Sequence, residues 1–193
     1  MKKWRLDFRL WHWINAFVIL GLLSTVFLRK TFLSWRTNSE LLVQKLSEIN
    51  IDITSKQATV LAKAIRAPMW EWHIILGYAL AALAVWRILL FFTQSGKENY
   101  INFKEQTLHY KMVKIGYLIF YAIIAFMSMS GLLMVFHEEL GLIEETVKSL
   151  KELHELVYNG VLIFVPLHLL GVIVAEQKED KGIISDMING GKK

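Results

Sequence analysis

The sequence predicts an all-α integral membrane protein, a four-helix bundle with a long outer loop carrying two short helices. Three observations carry that prediction. Four apolar runs, at about 10–28, 69–93, 113–136 and 153–175, are each long enough to cross a hydrocarbon core about 30 Å thick. Hydrophobic residues make up 54% of the 193 positions, which is too apolar for a soluble domain, and the length is too short for two independent domains. One membrane domain, 1–193, is the economical reading. In lipid every backbone polar group must pair within the protein, and a helix does so without help from a neighbour.

Composition also excludes several classes. There is no cysteine, so disulfide frameworks, thiolate-held iron–sulfur clusters and haem attached through cysteine are ruled out on this chain. The formal charge is +5, yet the basic residues flank apolar runs instead of forming a patch, so nucleic acid is not an expected partner. Membrane lipid is.

The first run follows a basic start, MKKWRLDFR, and reads as an uncleaved span: it is longer than a signal-peptide core, and no small-residue cleavage site ends it. His12 lies about one turn inside, between Trp11 and Trp13, at the depth of an aromatic belt. The insert 29–68 contains TNSE (37–40) and TSKQ (54–57), each with the spacing of a capping box. An amphipathic stretch follows each box, so two short surface helices are expected, with Pro68 setting off the next element. Such an insert suits a docking surface or a lid, and equally a solvated loop resting on lipid.

The second run places His73 about one turn inside its first end, above a stripe of small residues at Gly77, Ala81 and Ala84. That stripe suits close helix packing and also leaves room for a flat macrocycle. A polar loop, 94–112, leads to the third run, which has no internal histidine; its SMSG patch (128–131) suits helix packing. His109 and His137 lie just outside the ends of that run and read as interfacial residues. An acidic amphipathic connector, 137–152, leads to the fourth run, where Pro166 precedes His168 by two residues and bends the helix locally. The tail, 176–193, is polar. Lysine and arginine are slightly richer in the segments on the N-terminal side of the membrane, which places both termini in the cytoplasm.

The fourth run carries the sharpest chemical signal. His154 and His168 are fourteen residues apart, a helical rise of about 21 Å with a residual rotation of about 40°. Both imidazoles therefore share one face, near opposite sides of the membrane core. Ionisable residues at such positions are costly and usually functional, and imidazole is a standard axial ligand of haem iron. One helix offering a ligand to each of two stacked haems fits the spacing. Two unrelated polar residues, one interfacial and one hydrogen-bonded in the bundle, fit it as well. Matching by depth pairs His12 with His168 on the cytoplasmic side and His73 with His154 on the outer side. Arg87, fourteen residues beyond His73, either snorkels to lipid headgroups or pairs with a haem propionate through its planar fork.

The segment RLWHWINAFVILGLL, the histidine of WEWHIILGYALAA and the H-x13-H of the fourth run together resemble the bacterial di-haem cytochrome b superfamily. That group includes cytochrome b-561-type proteins and the membrane subunits of nickel–iron hydrogenases and formate dehydrogenases. The resemblance implies a four-helix bundle in the bacterial inner membrane and two non-covalent b haems. It implies His12, His73, His154 and His168 as the haem-iron ligands, and quinone as the exchange partner. The long insert departs from simple members.

The function expected is electron transfer across the inner membrane between a periplasmic or membrane-bound redox protein and the quinone pool. Bis-histidine ligation fills both axial positions, which suits electron transfer over oxygen binding. Two other classes remain open on sequence: a stand-alone quinone-linked oxidoreductase, for example oxidising superoxide or quinol, and a haem-free bundle whose histidines relay protons.

Overall fold

The computed structural model describes residues 4–92, 107–178 and 181–190, and every regular element among them is an α-helix. In chain order these are α1 (Leu6–Lys30), α2 (Trp35–Ser47), α3 (Ser55–Phe92), α4 (Leu108–Val135), α5 (Glu144–Gln177) and α6 (Ile183–Asn189). Among the described residues, α1, α3, α4 and α5 are long and apolar enough to cross a membrane. Large side chains such as Phe17, Leu118, Ile163 and Leu167 stand exposed on them, as expected where lipid is the solvent. The all-helical fold class is therefore correct.

The ends of the helices follow from local chemistry. Asp7 lies in the first turn of α1 and Arg29 and Lys30 in its last, each charge complementing the helix dipole. At α3 the TSKQ box forms as its spacing predicts. The Thr54 backbone N–H donates to Gln57 Oε1 at 2.8 Å, and the Gln57 N–H donates to Thr54 Oγ1 at 3.3 Å. Thr107 caps α4 by accepting from the Tyr110 N–H. Glu144 and Glu145 fill the first turn of α5.

Three sequence expectations need correction. TNSE does not open a helix: α2 begins at Trp35, with Ser34 in extended conformation before it. Thr37 lies within the first turn and turns its hydroxyl back to Ser34 Oγ. Nor does Pro68 separate two elements, because α3 runs through it as one helix of 38 residues. Proline lacks the N–H that would reach the Ala64 carbonyl, and its ring crowds that carbonyl, yet strong helical sequence on both sides carries the helix past this local cost. The second short helix of the insert is thus the first part of α3. Likewise, the acidic connector is helical from Glu144 and continuous with the fourth span. The polar loop expected at 94–112 lies outside the described residues as far as 106, and is already helix from Leu108.

The described residues fall into two compact units. One holds the chain up to Phe17 and from Tyr78 onward, and the other is Val18–Gly77. In the first, α4 packs along α5. Phe120, Ile124 and Ser128 are buried at four-residue spacing on α4, which puts them on one helix face. Phe120 stacks on Phe164 of α5 with ring centroids 3.8 Å apart. Gly160 lets the two backbones approach, since a Cβ there would sit 2.9 Å from Ile123 Cδ1. In the second unit, Ala58 and Ala62 are fully buried, and Gly21 plays a similar part against Leu76.

The tail contains a helix that the sequence reading did not anticipate. α6 is bracketed by Gly182 (φ 93°) and Gly190 (φ 77°), both in the left-handed region that glycine enters without penalty. The Glu176 carboxylate accepts from the Gly182 and Ile184 N–H groups at its start. Arg9 donates to the Ile188 carbonyl at 2.8 Å, and the Trp13 indole N–H donates to the Met187 carbonyl at 3.2 Å, at its end. Side chains from α1 and α5 thereby satisfy backbone groups that a two-turn helix leaves unpaired.

Two expectations follow. Gly160→Leu overpacks the α4–α5 contact and costs about 1–3 kcal/mol, whereas Gly160→Ala, which meets only the end of the Ile123 side chain, stays within about 1 kcal/mol. Thermal unfolding in detergent distinguishes them. The second concerns α6. The backbone N–H groups of Ile184, Gly182 and Ile183 hold the Glu176 carboxyl below the usual carboxylate range. A depressed folded value means that its contribution is complete above the ordinary glutamate value of about 4.3. That contribution is lost as pH falls through the lower folded value. Amide exchange in α6 should therefore accelerate at strongly acid pH in the natural protein, and be fast already at neutral pH in Glu176→Gln.

Candidate functional site

In the first unit the N-terminal turns of α1 meet the C-terminal half of α5. Trp11 is buried, and its indole N–H donates to the Leu83 carbonyl of α3 at 2.8 Å. That bond fixes the rotation of α1 and directs the next residue, His12, towards α5. The His12 and His168 rings lie with centroids 6.2 Å apart and planes tilted by 57°. His12 sits edge-on to Trp13 at 5.3 Å. Phe164, one helical turn before His168, lies parallel to it at 5.8 Å. The Tyr117 hydroxyl of α4 is 3.3 Å from His168 Nδ1. His12 Nδ1 and Asn15 Oδ1, one turn apart on α1, are buried without a hydrogen-bond partner, a costly condition in apolar surroundings.

Arg87 of α3 lies in the same unit. Its guanidinium carbon is 4.7 Å from the Tyr121 ring centroid, 5.5 Å from Trp11 and 5.6 Å from Phe8, an aromatic cradle that suits a cation. Its Nε is buried without a partner.

His154 is held differently. Its Nδ1 lies 2.7 Å from Ser130 Oγ on α4, and Ser130 is only 2% exposed. A Cβ at Gly131 would lie 3.7 Å from His154 Cε1, so the SMSG patch seats the imidazole. In the second unit His73 repeats the arrangement, with Nδ1 2.7 Å from Thr25 Oγ1 on α1. Trp70 stands edge-on to it at 5.1 Å, and the Arg29 guanidinium covers the Trp70 ring at 5.2 Å.

Of the histidines that sequence depth singled out, His12 and His168 are thus brought together. His154 lies in the same unit with its own hydroxyl partner, and His73 lies in the other unit. Of the other two histidines, His109 is exposed, and His137 lies with Nδ1 2.9 Å from the Met134 carbonyl oxygen. Sequence reading missed Thr25, Tyr117 and Ser130. The signal was present as hydroxyls inside apolar runs, but such residues ordinarily serve helix packing.

The donor set decides which metal group suits it. No cluster of three or more His, Asp or Glu residues that could hold a metal ion occurs among the described residues, and protein-built metal sites need three or four ligands. Two neighbouring imidazoles instead suit an ion whose other ligands come from a macrocycle. Two metal–imidazole bonds of about 2 Å each, together with the ring radii, span the 6.2 Å between the centroids. At His168, His154 and His73 a hydroxyl lies at Nδ1, which leaves Nε2 free, the usual division of labour for a metal-bound histidine.

Four helices long and apolar enough to cross a membrane, with one imidazole pair between two of them, define a helical membrane protein. The chain belongs to the prokaryotic cytochrome b561 family, whose model matches residues 3–190. It is a membrane b-type cytochrome of electron transfer, in a family that binds haem b. No curated protein and no solved structure matches it.

Proposed function

We propose that the protein carries electrons across the bacterial inner membrane, between a periplasmic or membrane-bound redox protein and the quinone pool, through two b haems. His12 and His168 would hold the haem on the cytoplasmic side, and His73 and His154 the haem on the outer side. Both termini face the cytoplasm. The observation that carries this reading is the His12–His168 pair at 6.2 Å, in a chain matched almost end to end by a haem-binding family. The outer assignment rests on the matching depth of His73 and His154 in the sequence and on the hydroxyl that each holds at Nδ1.

When bound, haem would supply a one-electron couple. The chain's own residues do the rest. Tyr117, Thr25 and Ser130 orient imidazoles, Phe164 and Trp13 wall the inner pair, and apolar faces keep water away. Arg87 presents an uncommitted Nε and a planar fork, the donor set that recognises a propionate, while Tyr121, Trp11 and Phe8 hold its charge in place.

Pyridine haemochrome assay of the purified protein should give two haems per chain. His12→Ala or His168→Ala should remove one, and His73→Ala or His154→Ala the other. One haem in the natural protein, or losses that group the histidines differently, would refute the pairing.

Replacing Arg87 by Leu removes a positive charge beside the inner site, so it should lower the midpoint potential of the inner haem more than that of the outer one. Potentiometric titration reads the difference. Equal shifts would assign Arg87 to the lipid headgroups instead.

A further inference from the structure

The hydrogen-bond geometry around Ser130 fixes more than position. Ser130 Oγ lies 2.7 Å from the Phe126 carbonyl oxygen, one turn earlier on α4, and 2.7 Å from His154 Nδ1. A serine hydroxyl has one proton to give, and a carbonyl oxygen can only accept. The hydroxyl proton therefore goes to Phe126, and Ser130 Oγ accepts from His154 Nδ1–H. That assignment places the imidazole lone pair on Nε2. Thr25 repeats the pattern on another helix: its Oγ1 donates to the Leu22 carbonyl at 2.6 Å and lies 2.7 Å from His73 Nδ1. Ser130 and Thr25 are both buried, so neither hydroxyl is readily replaced by bulk water.

The histidines proposed for the inner site lack this device. Among the described residues, Tyr117 stands 3.3 Å from His168 Nδ1 with no carbonyl acceptor for its proton, and His12 Nδ1 has no hydrogen-bond partner. An acceptor at Nδ1–H raises the basicity of the imidazole and strengthens its donation to a bound metal. Electron donation favours the oxidised, more positive iron.

We infer that Ser130 and Thr25 are positioning residues for redox chemistry: each locks its own histidine, His154 or His73, in the Nδ1–H tautomer and lowers the reduction potential of the haem that histidine holds. The inference rests on the haem-ligand reading above. It gives a function to α4, whose apolar run 113–136 has no histidine.

The test is a set of four variants in the haem-loaded protein, Ser130→Ala, Ser130→Thr, Thr25→Val and Thr25→Ser, with haem content and midpoint potentials measured for each. Ser130→Ala and Thr25→Val should retain haem and raise the potential of a single component. The expected size is about tenfold in the reduction equilibrium, or about 59 mV for one electron. Ser130→Thr and Thr25→Ser keep a hydroxyl and should restore the natural potential.

Full haem content with unchanged potentials in both Ser130→Ala and Thr25→Val would overturn the inference. So would a potential raised equally in Ser130→Ala and Ser130→Thr, since packing and not the bond would then be responsible. If Ser130→Ala loses haem, recovery of haem and potential in Ser130→Thr supports the inference, and failure to recover counts against it. His154→Ala separates the two levels. If that variant keeps both haems, the ligand assignment itself is wrong, whatever Ser130→Ala does.

Discussion

An imidazole among apolar helices has one nitrogen that donates and one that accepts, and each is costly to bury without a partner. The local design at three of the four candidate ligands answers that constraint from one side. A hydroxyl from a different helix meets Nδ1: Thr25 for His73, Tyr117 for His168 and Ser130 for His154. Each contact requires its two helices to hold a particular rotation, because a hydrogen bond tolerates little error in distance or angle. Helix packing and site geometry are therefore one problem here. The Gly160 notch against Ile123 and the Phe120–Phe164 stack set the α4–α5 register that brings Tyr117 and Ser130 to their histidines.

The His12 side is built on another principle. No hydroxyl meets His12 Nδ1; its ring is set by the Trp11 indole bond to Leu83 and by the edge of Trp13. Aromatic residues bring large contact area and a single polar handle, so they orient a neighbour without competing for its nitrogens. Arg87 uses the same surfaces. Its charge is shared over Tyr121, Trp11 and Phe8, which lowers the cost of a guanidinium at membrane depth while leaving its hydrogen-bonding edge uncommitted.

What could be read from sequence was whatever depends on helical rise alone. The four spans, and the matched depths of His12 and His168, need only 1.5 Å per residue. The spacing of TSKQ was equally legible, because a capping box closes within four residues. TNSE has the same spacing, but Ser34 lies three residues before Thr37 and starts the helix first, a competition that pattern alone does not rank. Pro68 was overread because its cost is local while the helix on either side is long. Ser130 and Thr25 were opaque for a different reason: their partners lie on other helices, and which hydroxyl meets which imidazole depends on rotations that only packing sets. The α6 helix was legible and overlooked, since Gly182 and Gly190 bracket an amphipathic segment.

The contacts that the first turns of α1 make with α5 and α6 have a consequence for biogenesis. Arg9 and Trp13 bond the carbonyl end of α6, and His12 faces a residue of the last spanning helix. Contacts of such long sequence separation carry the largest loop-closure cost and form late. During synthesis the Thr25–His73 contact can close as soon as α3 has emerged, whereas the His12–His168 pair has to wait for nearly the whole chain. Until then His12 and Asn15 are polar groups in lipid without their final surroundings. The His12–His168 contact therefore depends on the last spanning helix: a chain cut before His168 can insert its first helices but cannot assemble the pair.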